Sequence, residues 1–180
     1  MYKEVLATII QEHNYKIIAE VGVYHCNLVN FLLDSRYLVT PSGSQLSEYW
    51  GIDPYKPYSS IDASYISKVT QQGWDVVYSY ATQCMIRFKP FKIMRLPSVE
   101  AASLFPDKYF DLIFIDANHS YESVSEDIRV WLPKLNEGGW FGGHDYRTDL
   151  WPSVERAVRE AFGEDGVQTL PGYVWKAILP

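Results

Sequence analysis

The chain is short of cysteine, of clustered positive charge and of long apolar runs, and each shortage excludes a class of protein. Cys26 and Cys84 lie far apart and lack metal-ligand spacing, so we expect two free thiols in a reducing compartment. The net charge of −6 argues against a nucleic-acid partner, because phosphate backbones are bound by clustered Lys and Arg. No apolar run approaches the roughly 20 residues that cross a bilayer, and the N-terminus lacks a secretory signal pattern. We therefore expect a cytoplasmic protein that binds neither nucleic acid nor membrane.

The composition is that of one globular domain. The 180 residues are 47% hydrophobic and 21% charged, and this length suits one domain better than two. No repeat, low-complexity segment or linker divides the sequence, so we predict a single domain over residues 1–180. Six Trp, fourteen Tyr and eight Phe are a heavy aromatic load. Core and interface packing is the preferred explanation of these rings, and a surface for flat ligands is the alternative.

Short apolar runs alternate with segments of helical periodicity along the chain. We predict strands at residues 16–23, 49–53, 91–95, 110–116, 140–143, 167–170 and 173–179. Helices are predicted at residues 1–13, around 28–32, and at about 63–87, 99–105, 120–135 and 152–162. Such alternation requires a parallel sheet with helices on both faces, and the Pro171-Gly172 turn adds a hairpin. The predicted fold is a three-layer α/β sandwich around a seven-stranded, mostly parallel sheet with an antiparallel C-terminal edge hairpin.

Two segments interrupt this regular pattern. Residues 36–49 have no clear period and contain a Pro-Ser-Gly-Ser turn, so we predict a loop excursion over the site there. Residues 136–139 (Asn-Glu-Gly-Gly) are interpreted as the end of the preceding helix, because glycine is common just after a helix C-terminus.

The most informative feature is a pair of polar clusters at the ends of two predicted strands. Asp116 and His119 follow the strand at 110–116, while His144 and Asp145 follow the strand at 140–143. Ligands of open α/β sheets bind where the carboxyl ends of the strands pass into loops. Two neighbouring strands that end in Asp and His therefore predict one shared site.

A turn with a single glycine follows the first predicted strand. Gly22 would let the backbone approach a ligand closely, although a tight structural turn explains this residue equally well. The G-x-G-x-x-G fingerprint of dinucleotide binding and the phosphate-binding P-loop are both absent. Asp53 ends the second strand, where a carboxylate can accept hydrogen bonds from two ribose hydroxyls; a turn or N-cap role is the alternative. Together these residues favour a nucleoside ligand without a pyrophosphate.

Five segments together resemble the class I S-adenosylmethionine-dependent methyltransferases. They are residues 19–23 (AEVGV), 51–55 (GIDPY), 96–100 (LPSVE), 110–121 (FDLIFIDANHSY) and 138–146 (GGWFGGHDY). The last two segments are similar to the D-A-x-H-x-Y and G-G-x-x-x-G-H-D-Y motifs of a small bacterial branch of that family. The resemblance extends from about residue 16 to residue 179 and implies a Rossmann-like fold that carries out methyl transfer.

The resemblance also implies S-adenosylmethionine as the cofactor. Glu20 and Gly22 would line its methionine side, Asp53 would hold the ribose hydroxyls, and Ser98 would sit beside the adenine. The complete implied set is Glu20, Gly22, Val23, Tyr24, Asp53, Ser98, Asp116 and Ala117, the last two near the transferred methyl group. The family usually has a second glycine where this chain has Cys26, and this departure implies a wider turn or weaker cofactor binding.

His144, Asp145 and His119 are the candidate catalytic residues. His144 is interpreted as the general base, because imidazole titrates near neutral pH and can accept a hydroxyl proton. Related sugar and macrolide O-methyltransferases instead hold a cation on strand-end carboxylates, which implies Asp116 and Asp145 as ligands of Mg²⁺ or another divalent cation. That pattern has an acid where this chain has His144, so base and cation stay as alternatives. His119 has a structural alternative, since an Asn-His-Ser-Tyr run can cap the next helix.

We predict methyl transfer to an oxygen of a small-molecule or sugar acceptor. A catalytically silent cofactor-binding or scaffold protein with the same fold is the alternative from a different class. An NAD(P)-dependent oxidoreductase is disfavoured, because its pyrophosphate requires at least two glycines in the first turn. Assembly into a homo-oligomer is left open.

Overall fold

Seven strands form one sheet through the centre of the molecule. In the computed structural model, which describes residues 1–34, 38–40, 43–58 and 68–179, the strands are β1 (Ile17–Val21), β2 (Val39–Thr40), β3 (Gly43–Ser44), β4 (Glu48–Ile52), β5 (Phe91–Met94), β6 (Phe110–Ile115), β7 (Leu135–Gly143), β8 (Val167–Leu170) and β9 (Val174–Ala177). The large sheet has the order β5-β4-β1-β6-β7-β9-β8, and β2 pairs only with β3. Its first five strands are parallel, and β9 is antiparallel to both β7 and β8. The predicted mostly parallel sheet with a C-terminal hairpin is confirmed.

Helices cover both faces of this sheet. They are α1 (Tyr2–His13), α2 (Asn27–Leu33), α3 (Gln71–Arg87), α4 (Ser98–Ala102), α5 (Tyr121–Trp131) and α6 (Pro152–Phe162). The first three helices pack in one apolar core and the last three in another. Pro152 is the first residue of α6, where its missing N–H would be unpaired in any case. Among the described residues, no helix is both long and apolar enough to span a bilayer.

Strand β6 shows how the two cores are divided. Leu112 and Phe114 belong to the core beneath α1, α2 and α3, whereas Ile113 and Ile115 belong to the opposite core. Because successive side chains of a strand point to opposite faces, a central strand buried on both sides reads as a continuous apolar run. This explains the uninterrupted apolar stretch that precedes Asp116.

The predicted helix at 120–135 is too long. Helix α5 ends at Trp131, a single 3₁₀ turn follows at Leu132–Lys134, and β7 begins at Leu135. Pro133 explains the early end, since proline lacks the N–H that a continuing α-helix would bond to the carbonyl four residues earlier. Gly138, with φ of 74°, therefore lies within β7, where the pairing with β6 is irregular, and is not a helix cap.

Two other predicted boundaries also differ. Helix α3 begins at Gln71, because the Thr70 side chain caps it by accepting a hydrogen bond from the Gly73 amide at 3.2 Å. The predicted start at residue 63 falls outside the described residues. Within the predicted excursion at 36–49, the described residues form the β2–β3 pair and the start of β4, while 36, 37, 41 and 42 are not described.

Candidate functional site

A cavity of about 480 Å³ lies at the carboxyl ends of β1, β4, β5 and β6. This volume is typical of small-molecule sites. Its wall contains all the residues that the resemblance assigns to a cofactor: Glu20, Gly22, Val23, Tyr24, Asp53, Ser98, Asp116 and Ala117. The residues of the predicted excursion whose side chains are described, 38 and 45–49, are not part of this wall. The strand ends therefore meet around a common space, as their positions in the sequence predict.

The three candidate catalytic residues are placed differently. His119 lines the cavity, whereas His144 and Asp145 are not part of its wall. Instead, Asp145 Oδ2 lies 2.8 Å from His119 Nε2, and His144 Nδ1 lies 3.7 Å from Asp116 Oδ1. His144 and Asp145 thus stand directly behind Asp116 and His119.

A glycine is required at position 22 because the ends of β1 and β6 come too close there for a side chain. Its φ is +93°, and a Cβ atom at this position would lie 2.0 Å from the carbonyl oxygen of Asp116. The Gly22 amide donates to the Ile52 carbonyl at 2.8 Å, and the Asp116 amide donates to the Val21 carbonyl at 2.8 Å. The turn is therefore tight because the protein backbone itself fills the space next to Gly22.

The turn after Gly22 contains two further residues in the left-handed region. Tyr24 has φ of 46° and Cys26 has φ of 55°. Cys26 is fully buried and is the N-cap of α2. Glycine adopts this conformation at little cost, so the backbone at Cys26 retains the geometry that a second glycine would provide. The departure from the family pattern has changed the side chain here without abolishing the turn.

Asp53 holds the glycine turn in place. Its Oδ2 accepts hydrogen bonds from the amides of Val23 at 3.2 Å and Tyr24 at 3.0 Å, and its Oδ1 accepts one from the Tyr55 amide at 2.8 Å. Burial raises the pKa of Asp53, and these three amides oppose that rise. The carboxylate is thus oriented at the edge of the cavity with its position fixed by backbone donors.

Glu20 is a second buried acid in the wall. It is 4% exposed, and its Oε2 accepts a hydrogen bond of 2.6 Å from the Tyr49 hydroxyl. Burial raises the pKa of Glu20 well above its ordinary value, and the nearby Asp116 and Asp53 add to the rise. With Asp53 and Asp116, it places three acids around one cavity.

Ser98 is bonded to two residues of α5. Its hydroxyl donates to Asp127 Oδ1 and accepts a hydrogen bond of 2.7 Å from Trp131 Nε1. Asp127 also lines the cavity and is only 4% exposed. Burial raises the pKa of Asp127 to about 7, against the effect of the Ser98 hydrogen bond.

The four remaining polar residues form one connected cluster. Asp145 Oδ2 lies 3.3 Å from His144 Nδ1 in addition to its contact with His119. Burial would raise the pKa of Asp145, but His119 and His144 outweigh it and hold that pKa well below its usual range. Burial raises the pKa of Asp116 to about 6, an effect that His144 opposes. Burial lowers the pKa of His144, but Asp145 and Asp116 outweigh it, so the pKa of this imidazole is raised.

The same cluster has the chemistry of a cation site. Asp116, His144 and Asp145 each offer a ligand atom, and these atoms lie within 4.8 Å of one another. Two carboxylate oxygens suit Mg²⁺ or Mn²⁺, and one imidazole is common among ligands of transition metals. The predicted ligand pair Asp116 and Asp145 therefore gains His144 as a third candidate ligand.

The alternative prediction is that residues 118–121 cap the next helix. It holds for Asn118 and Ser120, the neighbours of His119. Ser120 is the N-cap of α5 and accepts a hydrogen bond of 3.2 Å from the Ser123 amide. Asn118 Oδ1 accepts one of 2.9 Å from the Ser120 amide. The imidazole of His119 is instead stacked on Trp151, with ring centroids 4.3 Å apart, and faces the cavity.

The wall residues that sequence reasoning misses include Tyr2, Asp127 and Trp151. The Tyr2 ring lies 4.5 Å from the ring of His144, a contact that no local pattern predicts. Asp127 did have a signal, because it interrupts the apolar stripe formed by Val124, Ile128 and Trp131 on α5.

The sequence matches a family model described as "Methyltransferase domain" over residues 20–146. A curated relative, an uncharacterized protein of Acanthamoeba polyphaga mimivirus, is 35% identical over 51 residues. That match spans 28% of this chain and only 23% of the viral protein.

Solved structures with a similar fold include several methyltransferases. The calicheamicin methyltransferase CalS11 has a TM-score of 0.68 at 15% identity, covering 98% of this chain and 77% of that one. The O-methyltransferase NovP has a TM-score of 0.68 at 14% identity, covering 99% and 78%. A Podospora anserina methyltransferase with S-adenosylhomocysteine bound has a TM-score of 0.60 at 11% identity, covering 97% and 76%. At these identities the likeness shows the fold alone.

Proposed function

Because the chain belongs to the methyltransferase-domain family, we propose that it transfers a methyl group from S-adenosylmethionine to an oxygen of a small molecule or sugar. The observation that carries the proposal is the cavity whose wall combines Gly22, Asp53 and Asp116 from three strand ends. The name of NovP, an O-methyltransferase of similar fold, supports oxygen as the accepting atom.

The charge of the cavity fits this cofactor better than it fits a dinucleotide. Glu20, Asp53 and Asp116 line the same space and are all acids. Lys56 also lies in the wall, but where these acids are ionised they outnumber it, so they would repel a pyrophosphate and attract the positive charge of a sulfonium and an amino group. The same three acids therefore argue against the NAD(P)-dependent oxidoreductase. Asp53 would hold the ribose hydroxyls, and Glu20 would face the methionine part.

Once bound, S-adenosylmethionine supplies an electrophilic methyl group on a good leaving group. The protein has to align an acceptor oxygen with that methyl group and remove its proton. Asp116 and His119 line the cavity and would contact the acceptor hydroxyl. We assign the base to neutral His144, which keeps its Nε2 proton; its Nδ1 would take the proton that Asp116 receives from the acceptor hydroxyl, once the 3.7 Å between Nδ1 and Asp116 Oδ1 closes to hydrogen-bond distance. Asp145 fixes both imidazoles through its contacts at 3.3 and 2.8 Å.

A bound divalent cation is the second way in which this cluster can activate the acceptor. The ligand atoms of Asp116, His144 and Asp145, which lie within 4.8 Å of one another, favour this alternative. A cation on these residues would lower the pKa of a coordinated hydroxyl. Because His144 takes part in both schemes, replacing it cannot distinguish them on its own.

The first experiment tests the activity itself. The protein is incubated with methyl-labelled S-adenosylmethionine and a panel of sugars, phenols and aliphatic alcohols, and the S-adenosylhomocysteine formed is measured. In a separate titration, binding of S-adenosylhomocysteine to the protein is measured by calorimetry. We expect binding and turnover. Binding without turnover on any acceptor would support the silent cofactor-binding protein, and failure to bind would overturn the proposal.

The second experiment separates the base from the cation. His144→Ala should abolish turnover and leave S-adenosylhomocysteine affinity nearly unchanged, whereas His13→Ala, on an exposed residue of α1, should retain full activity. Wild-type protein treated with a chelator should keep its activity if His144 is the base. Loss of activity that Mg²⁺ or Mn²⁺ restores would instead assign activation to the cation.

A further inference from the structure

Asp127 is a buried acid on the cavity wall for which the proposed chemistry has no use. It is 4% exposed and lies on the inner stripe of α5 with Val124, Ile128 and Trp131. In the described part of the chain, no Lys, Arg or His forms an ion pair with it. Burying an acid without a cation is costly, so a hydrogen-bonding role has to offset that cost.

The hydrogen bonds around Asp127 have fixed directions. The Trp131 indole can only donate, and it donates to Ser98 Oγ at 2.7 Å. The Ser98 proton is then free to point at Asp127 Oδ1, which accepts it. Among the described residues, nothing donates a hydrogen bond to Asp127 Oδ2. Because Asp127 lines the cavity, this oxygen is the acceptor that the residue offers to a ligand.

The sheet order tells which part of a ligand this acceptor would meet. Ser98 follows β5, which lies beyond β4 on one side of β1, whereas Asp116 follows β6 on the other side. Asp53, at the end of β4, lies between them in this order. A nucleoside whose ribose is held at Asp53 and whose reacting tail extends toward Asp116 therefore directs its base toward Ser98 and Asp127.

We infer that Asp127 is the residue that selects adenine, its Oδ2 accepting a hydrogen bond from the 6-amino group of the base. This inference rests on the proposed function. Adenine carries a hydrogen-bond donor at position 6, whereas a 6-oxo purine carries an acceptor there, which a carboxylate oxygen repels. Ser98 acts through Asp127, because it donates to Oδ1 and so orients the acceptor, and Trp131 in turn holds Ser98.

The experiment compares two ligands that differ only in that amino group. S-adenosylhomocysteine and its analogue with unsubstituted purine in place of adenine are titrated calorimetrically into wild type, Asp127→Asn and Asp127→Ala. At pH 8.5, above the pKa of about 7 that burial gives Asp127, wild type should prefer the 6-amino ligand by about tenfold or more, since the acceptor is then a buried charged group. Both variants should lose most of that preference. In the Asn variant the carbonyl oxygen faces the Ser98 proton, which leaves the amide NH₂, a donor, toward the ligand. Asp165→Asn, at an exposed acid, should behave as wild type.

The outcomes separate this inference from the proposed function. Wild-type protein that binds both ligands equally, or variants that keep the wild-type preference, would overturn the role of Asp127 and leave the methyltransferase proposal intact. Wild-type protein that binds neither ligand would overturn both. If wild type and variants bind the analogue with unsubstituted purine equally well, the binding site of the variants is folded. The comparison of the two ligands in wild type does not depend on any variant.

Discussion

The backbones of Gly22 and Asp116 approach each other so closely that a Cβ atom on Gly22 would lie 2.0 Å from the Asp116 carbonyl oxygen. This contact joins the ends of β1 and β6, two neighbouring strands whose following loops both line the cavity. The glycine of the first turn is therefore needed by the protein before any ligand binds. The structural role that the sequence leaves as an alternative is therefore present at this residue, and the proposed ligand role is compatible with it.

Gly22→Ala should destabilise the protein strongly, because it combines an unfavourable φ with a backbone collision. We expect the free energy of unfolding, measured in urea, to fall by at least about 3 kcal/mol. Gly163→Ala is the matched control, since its φ is +75° but nothing lies within 4 Å of the added Cβ. That variant should lose less than Gly22→Ala, about 1–3 kcal/mol, the cost of its φ of 75° and ψ of 167°, a combination that almost only glycine adopts. Equal losses in the two variants would show that φ alone matters and that the contact with Asp116 does not.

Asp53→Ala should weaken both the fold and cofactor binding. It leaves three amides, of Val23, Tyr24 and Tyr55, without their acceptor. We expect about 1–3 kcal/mol less unfolding free energy and about 1–3 kcal/mol weaker S-adenosylhomocysteine binding by calorimetry. Asp34→Ala, which removes an exposed ion pair with Arg87, should change stability by less than about 1 kcal/mol. Unchanged ligand affinity in Asp53→Ala would remove this carboxylate from the site.

Tyr2 should position His144 through its ring. The two rings lie 4.5 Å apart, and a Cβ atom on Gly172 would come within 2.8 Å of the Tyr2 amide nitrogen, so α1 is held against the hairpin turn. Tyr2→Phe keeps the ring and should retain kcat within about threefold, whereas Tyr2→Ala should lower kcat by about tenfold or more. Affinity for S-adenosylhomocysteine should be similar in both. A larger loss in Tyr2→Phe than expected would assign a direct role to the hydroxyl instead.

Asp127 should make stability depend on pH. Burial raises the pKa of Asp127 to about 7 in the folded protein, whereas an unfolded Asp titrates near its ordinary value of 3.8. Between these values the folded state binds more protons, so this residue's contribution to unfolding free energy falls as pH rises and is constant above about 7. Asp127→Asn removes this dependence, and its stability relative to wild type should improve from pH 4 to pH 7 by up to roughly 4 kcal/mol. Urea unfolding of both proteins across that range measures the difference. A constant difference would mean that Asp127 is already ionised in the fold.

Much of the site could be predicted because parallel strands bring their carboxyl ends to one edge. Asp116 and His144 are separated by a full helix in the sequence, yet each follows one of two paired strands, so their atoms meet at 3.7 Å. The same reasoning placed Gly22 and Asp53 at the edge of the cavity. It could not predict which of these side chains reach the cavity. Whether a polar residue faces the cavity, as His119 does, or stands behind the wall, as His144 does, depends on side-chain packing.

Other features lay beyond sequence reasoning for different physical reasons. Tyr2 reaches His144 through tertiary packing of α1, and no periodicity encodes a contact between such distant residues. The predicted end of α5 at residue 135 is wrong, because Pro133 stops the helix before the glycines at 138 and 139 are reached. Asp127 was overlooked although an acid on an apolar helix face is itself a signal of a buried polar site.

Strand β8 precedes β9 in the chain, yet β9 is its only hydrogen-bonded neighbour in the described sheet. Strand β9 in turn joins the sheet at Gly142 and Gly143, immediately before His144. During synthesis, residues 167–170 therefore have nothing to pair with until residues 174–177 have left the ribosome. The border of the sheet beside this imidazole can therefore form only after β9 has been synthesised.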